Sequence, residues 1–238
     1  MTPRQPPLFW VVIPAAGVGS RMRADRPKQY LQLGERSIIE HTLDCFLDHP
    51  ALAGVVVCIA PDDPYWPRLP CASNVRIHRA AGGRERSDSV LNGLQCLHEL
   101  GADACDWVLV HDAARPNLAR EDLDKLLLEL AGDSVGGLLA VPARDTLKRV
   151  GADGRVLETV DRSVVWQAFT PQMFRLGMLR EALEAALETG VQVTDEASAM
   201  EWAGQSPRVV EGRADNLKVT RPEDLEWLAQ RWHADRTQ

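Results

Sequence analysis

Nothing in this chain stays apolar long enough to cross a bilayer, which takes about 18 to 20 consecutive residues. Its proline-rich start has no apolar region ending at a cleavage site, so no secretory leader is read there. Cysteine is sparse and unpatterned. Cys45, Cys58, Cys71, Cys96 and Cys105 make an odd total without a C-x-x-C, and Cys58 lies inside the apolar run Val55-Val56-Val57-Cys58-Ile59. That usage argues against a disulfide framework or a zinc site and for small reduced core residues, which points to a cytoplasmic protein. Positive charge is also short. With 27 Lys and Arg against 34 Asp and Glu, the net charge of -7 argues against nucleic acid or an anionic membrane as the main partner. Any anion handled here must meet cations concentrated locally. The 238 residues, 45% of them hydrophobic, suffice for one α/β domain with a sizeable core.

The densest chemistry stands near the start. The apolar run Leu8-Phe9-Trp10-Val11-Val12-Ile13 reads as a buried strand, followed by Pro14-Ala15-Ala16-Gly17-Val18-Gly19-Ser20-Arg21-Met22 and then Arg26-Pro27-Lys28-Gln29-Tyr30. Gly17 and Gly19 allow a sharp turn and a close backbone approach to a ligand. Exposed N–H groups in such a turn form an anion cradle. Arg21 and Lys28 add two cations, and the whole suits a polyphosphate. A dinucleotide-binding G-x-G-x-x-G would need a glycine at Met22, and the G-x-x-x-x-G-K-[ST] loop has no match. A plain strand-to-helix turn with basic decoration is the bland alternative.

The remaining pattern alternates strands and helices, the mark of a parallel sheet. Ser37-Ile38-Ile39-Glu40 is a capping box opening a helix, and Gly54 to Ala60 reads as a second buried strand. Val75-Arg76-Ile77-His78 reads as a third strand. Gly82-Gly83 then leads into a helix carrying Val90, Leu91, Leu94, Leu97 and Leu100, and the loop is either a wall for a base or phosphate or a plain connection with a Ser cap. Trp107 to Val110 is a buried strand running into His111-Asp112-Ala113-Ala114-Arg115-Pro116. That sets the Asp112 carboxylate at the carboxyl edge of the sheet, where such folds bind ligands. Mg²⁺ takes one or two carboxylates plus substrate phosphates, so Asp112 is either its ligand or a turn cap. His111 is read as a packed residue outside the chemistry.

Beyond a helix at 121–131 and a strand at 136–141, two polar, partly alternating runs flank Gly151-Ala152-Asp153-Gly154 and predict a β-hairpin. With so little apolar content it needs something to lean on, such as a second subunit. Thr194-Asp195-Glu196 reads as a helix start with Thr194 as N-cap. Lys218 alternates with Leu217 and Val219 and so faces away from them, before a terminal helix begun by Thr220-Arg221-Pro222-Glu223-Asp224.

Taken together, A-A-G-x-G-x-R-M, P-K-Q-Y, V-H-D-A-A-R-P, T-D-E-A-S and N-x-K-V-T-x-P-E-D-L span nearly the whole chain. They resemble the nucleotidyltransferases that join a nucleoside triphosphate to a phosphorylated polyol. The likeness is greatest to the 2-C-methyl-D-erythritol 4-phosphate cytidylyltransferases of the non-mevalonate isoprenoid pathway. The resemblance implies one Rossmann-like, doubly wound, mostly parallel α/β domain over 1–238, with a hairpin arm at 142–165 forming a homodimer. It implies nucleotide contacts from Pro14, Ala15, Ala16, Gly17, Gly19, Gly83, Ser89, Asp112 and Ala113, and Mg²⁺ on Asp112 and Asp215. Acceptor contacts would come from Arg115, Thr146, Arg162, Thr170, Thr194, Asp215 and Lys218, with the arm's Thr146 and Arg162 serving the neighbour. Arg21, Lys28, Arg162 and Lys218 would carry the catalysis.

The chemistry fits the residue types. A phosphate monoester is mostly dianionic at neutral pH, with a second pKa of about 6, so it can attack the α-phosphate of CTP without a base. Catalysis then reduces to positioning and charge stabilisation, which motifs rich in Arg, Lys and Asp can supply. A cytidylyltransferase for ribitol 5-phosphate, a nucleotide-sugar synthase for another base, and a nucleotide sensor without turnover remain open on the sequence alone.

Overall fold

The computed structural model describes residues 5–17, 19, 22 and 24–235. In chain order the elements are β1 (Phe9–Pro14), β2 (Gln32–Leu33), β3 (Arg36–Ser37), α1 (Ile38–Leu47), β4 (Leu52–Ile59), β5 (Ile77–Ala81), α2 (Arg86–Glu99), β6 (Trp107–Val110) and α3 (Arg120–Leu130). They continue with β7 (Gly136–Pro142), β8 (Leu147–Val150), β9 (Val156–Val160), β10 (Trp166–Arg175), α4 (Leu176–Glu188), α5 (Glu196–Trp202), β11 (Arg208–Glu211) and α6 (Pro222–Asp235).

Seven strands form one sheet in the order β11-β7-β10-β6-β1-β4-β5. Only β10 runs against its neighbours; the pairs β1–β4, β4–β5, β1–β6 and β7–β11 are parallel. The central strands are apolar at every step because both faces are covered. Phe9, Val11 and Ile13 of β1, with Val55, Val57 and Ile59 of β4, pack on one side with α1 and α3. Val12, Val56, Cys58, Val108 and Val110 pack on the other, with α2, α4 and α5. The two-residue period of a strand divides each run between two cores, so the expected doubly wound α/β architecture is the one found. A third cluster joins Met22, Leu33, Ile38, Ala114, Val219 and Leu228, seating α6 over the loops that follow β1 and β6.

The chain leaves β1, builds β4 and β5 on one side, then returns to lay β6 on the other. The strand order reverses there, and the carboxyl ends of β1 and β6 open the crevice where ligands bind in such sheets.

Local chemistry corrects three boundaries. The third strand begins at Ile77, not Val75, because the Asn74 side chain accepts the Arg76 N–H at 2.9 Å and turns the chain, leaving Val75 exposed. The helix after Gly83 is capped by Glu85, whose N–H donates to Asp88 at 2.9 Å, and not by a serine. The cap of α5 is Asp195, which accepts the Ser198 N–H at 2.9 Å, and not Thr194. The capping box of α1 forms as read, with the Ser37 N–H and hydroxyl both donating to Glu40.

Candidate active site

Three loops at the carboxyl edge of the sheet build the site. The first leaves β1 at Pro14 and is tethered by the Ala15 N–H to the Cys58 carbonyl at 2.8 Å. Buried Gln29 donates its amide to the carbonyls of Ala15 at 2.6 Å and Gly17 at 3.2 Å, fixing the turn from behind. Gly19 has φ +67°, and a Cβ there would stand 2.9 Å from Lys28 Cγ, so only glycine lets the turn lie on the lysine stem. Lys28 Nζ donates to the Val219 carbonyl at 2.9 Å, which draws the ammonium toward the chain around Lys218. Tyr30 anchors this segment, donating to Asp63 at 2.8 Å and stacking on Tyr65. Arg21 lies outside the described residues.

The second loop follows β5. A Cβ on Gly82 would fall 2.1 Å from the Cβ of Ala16, so the two glycine loops touch at a point where no side chain fits. The Gly83 N–H donates to Ser89 Oγ at 2.9 Å and Ser89 donates to the Glu85 carbonyl at 3.2 Å, which folds the loop onto the first turn of α2.

The third loop follows β6 and carries the strongest electrostatics. Asp112, 7% exposed, is met by Arg86 Nε at 3.2 Å, Arg115 Nε at 3.2 Å and Lys218 Nζ at 2.9 Å. Burial pushes its carboxyl up, but Arg86, Lys218 and Arg115 outweigh that and hold it far below the ordinary carboxylate range. Arg86 also forks onto buried Glu196 with contacts of 2.6 and 3.1 Å. Lys218 reaches the cluster from an extended segment that is not a strand. The Val219 N–H donates to the Ala114 carbonyl, and Val219 turns inward while Lys218 faces the site.

Behind Asp112, fully buried His111 sits between the Arg115 carbonyl, 3.0 Å from Nε2, and the Thr170 hydroxyl, 3.1 Å from Nδ1. A carbonyl only accepts, so Nε2 carries the proton and Nδ1 accepts from Thr170. Thr170 Oγ1 in turn accepts the Asp112 N–H at 3.1 Å. Burial pushes the imidazole down to about 4 against the pull of the Arg115 carbonyl, so His111 stays neutral. Its two ring nitrogens are both engaged, and it ties the loop after β6 to Thr170.

Two cavities meet at this cluster. The larger, about 330 Å³, is lined by Pro14, Ala15, Ala16 and Gly17 of the first loop, by Gly83, Arg84, Glu85, Arg86 and Ser89 of the second, and by Asp112, Ala113, Lys28 and Lys218. The smaller, about 130 Å³, is lined by Arg115, Phe169, Thr170, Gln172, Thr194 and Asp195. Arg86, Asp112 and Lys218 belong to both walls.

The residues expected at a nucleotide thus gather in one cavity, apart from Gly19, which lies against the Lys28 stem and does not line it. Arg115, Thr170, Thr194 and Lys218 gather in the other. Two assigned groups stand elsewhere. Thr146 and Arg162 lie exposed by the hairpin and line neither cavity, Arg162 donating to the Arg144 carbonyl. Asp215 pairs with Arg213 at 2.6 Å and Arg231 at 3.1 Å and lines neither cavity. Among the described residues no cluster of three or more His, Cys, Asp or Glu could hold a metal.

Sequence reasoning passed over Arg86, Gln29, Gln172 and Glu196. For Arg86 a signal existed, since a cation in the first turn of a helix opposes the macrodipole and calls for a carboxylate partner. The others had none, because the partners that hold them in the site, Gly17 for Gln29, Asp195 for Gln172 and Arg86 for Glu196, are 12 to 110 residues away.

A family model for 2-C-methyl-D-erythritol 4-phosphate cytidylyltransferase matches residues 9–231. Among curated relatives, a protein of Pseudomonas entomophila so named is 75% identical over 230 residues, covering 97% of this chain and 98% of its own. One of Ectopseudomonas mendocina, with the same name, is 73% identical over 224 residues, covering 94% and 95%. The solved Francisella tularensis 2-C-methyl-D-erythritol 4-phosphate cytidylyltransferase superposes with a TM-score of 0.81 at 36% identity, covering 94% of this chain and 99% of that one. The Thermus thermophilus structure gives 0.78 at 30% identity, with coverages of 95% and 99%.

Proposed function

This chain belongs to the 2-C-methyl-D-erythritol 4-phosphate cytidylyltransferase family, and from that premise we infer how its two cavities divide the reaction. The enzyme transfers CMP from CTP to 2-C-methyl-D-erythritol 4-phosphate, giving 4-diphosphocytidyl-2-C-methyl-D-erythritol and pyrophosphate. The observation that carries the assignment is the shared wall. One cavity is bounded by two touching glycine loops and the other by threonines and Arg115, and Arg86, Asp112 and Lys218 stand between them.

CTP occupies the larger cavity, with its base against Gly83 and Ser89 and its phosphates over the 14–19 turn. Lys28, together with Arg21, stabilises the charge that develops as pyrophosphate leaves. The acceptor enters the smaller cavity, where Thr194, Arg115 and Lys218 meet its hydroxyls and phosphate. The dianionic phosphate attacks the α-phosphorus: a P–O bond forms there and the bond to the β-phosphate breaks. No side chain need remove a proton, in keeping with a buried neutral His111.

Asp112 fits an Mg²⁺ ligand. It lies in the shared wall, and a carboxylate accepts at about four lone-pair positions, of which three are met here. When bound, the ion neutralises phosphate charge. Asp215 does not fit beside it, being clamped by two arginines outside both cavities.

The hairpin of β8 and β9 is proposed as the dimer arm, delivering the partner subunit's Thr146 and Arg162 to the acceptor. Its support is apolar: Val150, Val156 and Leu157 are 50 to 66% exposed on a sheet of two strands, and Val164, in the turn that follows, is 76% exposed. Cytoplasmic location belongs to the same reading, supported by five free cysteines.

The test is pyrophosphate release from CTP with Mg²⁺, with and without 2-C-methyl-D-erythritol 4-phosphate, and with ribitol 5-phosphate in parallel. Release should require the methylerythritol phosphate and fall on the order of 10²- to 10³-fold in Lys28→Ala. Release with ribitol phosphate alone would overturn the acceptor, and CTP binding without release under any condition would overturn the reaction.

A further inference from the structure

Arg86 and Glu196 are 110 residues apart in sequence, yet the guanidinium forks onto the carboxylate with two contacts, 2.6 and 3.1 Å, while its Nε donates to Asp112. Glu196 is 1% exposed, and Arg86 belongs to the walls of both cavities. The pair therefore joins the first residue of α2, next to the nucleotide-side loop, to the first residue of α5, next to Thr194.

The start of α5 is held from a second direction. Gln172 on β10 donates its amide to Asp195 Oδ2 at 2.9 Å, and its oxygen accepts the Ala197 N–H at 2.7 Å. With both ends of that amide engaged, its orientation is fixed, and the start of α5 is held by Gln172 from β10 and by Arg86 from α2. Stability alone does not call for this arrangement, since an apolar pair of similar volume generally serves a buried site as well or better. What an ion pair adds is a fixed distance and direction, set by the planar fork of arginine on carboxylate.

We propose that Arg86 and Glu196 are positioning residues for the acceptor: the pair sets Thr194 and the α5 edge of the smaller cavity against Asp112 and Lys218, where the two substrates meet. Glu196 acts only through Arg86, and the nucleotide cavity is shaped by its own loops, so loss of Glu196 is felt by the acceptor first. The inference rests on the smaller cavity being the acceptor's.

The experiment measures CTP affinity by calorimetry without acceptor, and KM and kcat for 2-C-methyl-D-erythritol 4-phosphate, in Glu196→Gln, Glu196→Asp and Thr194→Val. Glu196→Gln should lower kcat/KM for the acceptor about 10- to 100-fold, the range a slight misplacement of a reacting group produces, with CTP affinity within about threefold of the parent. Glu196→Asp, which keeps the charge, should recover part of the loss. Unchanged acceptor kinetics in Glu196→Gln, or an equal loss of CTP affinity, would overturn the proposal. If Glu196→Gln does not fold, the double substitution Arg86→Met with Glu196→Met replaces the pair by an apolar one. Parent-like acceptor kinetics in that variant would sink the idea, and a selective acceptor defect would sustain it. Thr194→Val separates the two readings. A raised acceptor KM there with none in Glu196→Gln condemns the pair alone, whereas no effect of Thr194→Val removes the cavity assignment on which the pair depends.

Discussion

At the scale of single residues, the site is built by close approach and by charge. Gly82 shows the first: a Cβ there would lie 2.1 Å from the Cβ of Ala16 and 3.2 Å from the Ile59 carbonyl, with no flexible side chain to yield. Gly82→Ala must therefore part the two loops that enclose the larger cavity. The expected result is a fall in kcat/KM for CTP of up to about 10²-fold, as displacements of this size commonly give, with acceptor KM little changed. Steady-state kinetics with each substrate varied in turn would show it, and a parent-like KM for CTP would mean that the loops do not share the nucleotide. Asp112 shows the second. Taking a carboxylate out of water is unfavourable by several kcal/mol, and removing one partner from such a cluster leaves the remaining charge uncompensated. Three cations around one buried acid thus make a rigid electrostatic corner at the junction of the cavities.

At the scale of elements, α6 stands outside the sheet yet holds the site. Leu228 packs on Val219, Leu33 and Ile38, and His41 lies edge-on to Trp232, so the helix clamps the segment that carries Lys218. Its start is fixed by Asp224, whose Oδ2 accepts from the Thr220 N–H and hydroxyl at 2.8 Å and from the Arg221 N–H at 2.9 Å. Burial raises the Asp224 carboxyl, but those N–H groups and the hydroxyl outweigh it and leave it below its ordinary value. A carboxyl depressed in the folded state binds fewer protons than the unfolded chain, so its contribution is complete above the ordinary range of about 3.9. It is lost as pH falls through the lower folded value. Asp224→Asn should be less stable at neutral pH by on the order of 1 kcal/mol, the usual difference between charge-assisted and neutral hydrogen bonds. Its melting temperature should also fall less than the parent's between pH 7 and pH 3. Parallel acid limbs in thermal melts would rule that contribution out.

At the scale of the whole molecule, the hairpin of β8 and β9 is the part that the monomer leaves unexplained. It pairs only with itself, it carries exposed valines and a leucine, and Thr146 and Arg162 at its base are exposed and line neither cavity. If each arm completes the neighbour's site, two dead variants should rescue one another. Arg162→Ala loses the arm's contribution and Lys218→Ala loses the body's. In a mixed dimer one site takes its body from the first and its arm from the second, and is intact. Random reassociation should restore about a quarter of parent activity, because half the dimers are mixed and each holds one good site. Activity no greater than the sum of the parents' residuals would show that each arm serves its own chain or none.

The sequence by itself determined the parts whose physics is local. Buried strands and amphipathic helices followed from periodicity, and the doubly wound sheet from their alternation. The Ser37–Glu40 capping box followed from spacing, and the first glycine loop from residues that exist to turn a backbone and meet an anion. The Val75 boundary failed because one asparagine turned the chain, a side-chain contact that propensity does not record. The motif that Asp215 shares with Lys218 does not record that its carboxylate pairs with Arg213 and Arg231. Only the tertiary structure decided that Gly82 touches Ala16, that Arg86 crosses to Glu196, and that two cavities share a wall. The reason is distance along the chain. Sheet order brings loops from residues 14, 82, 112, 194 and 218 to one edge, and which charges then meet depends on register and strand order, which no short window of sequence contains.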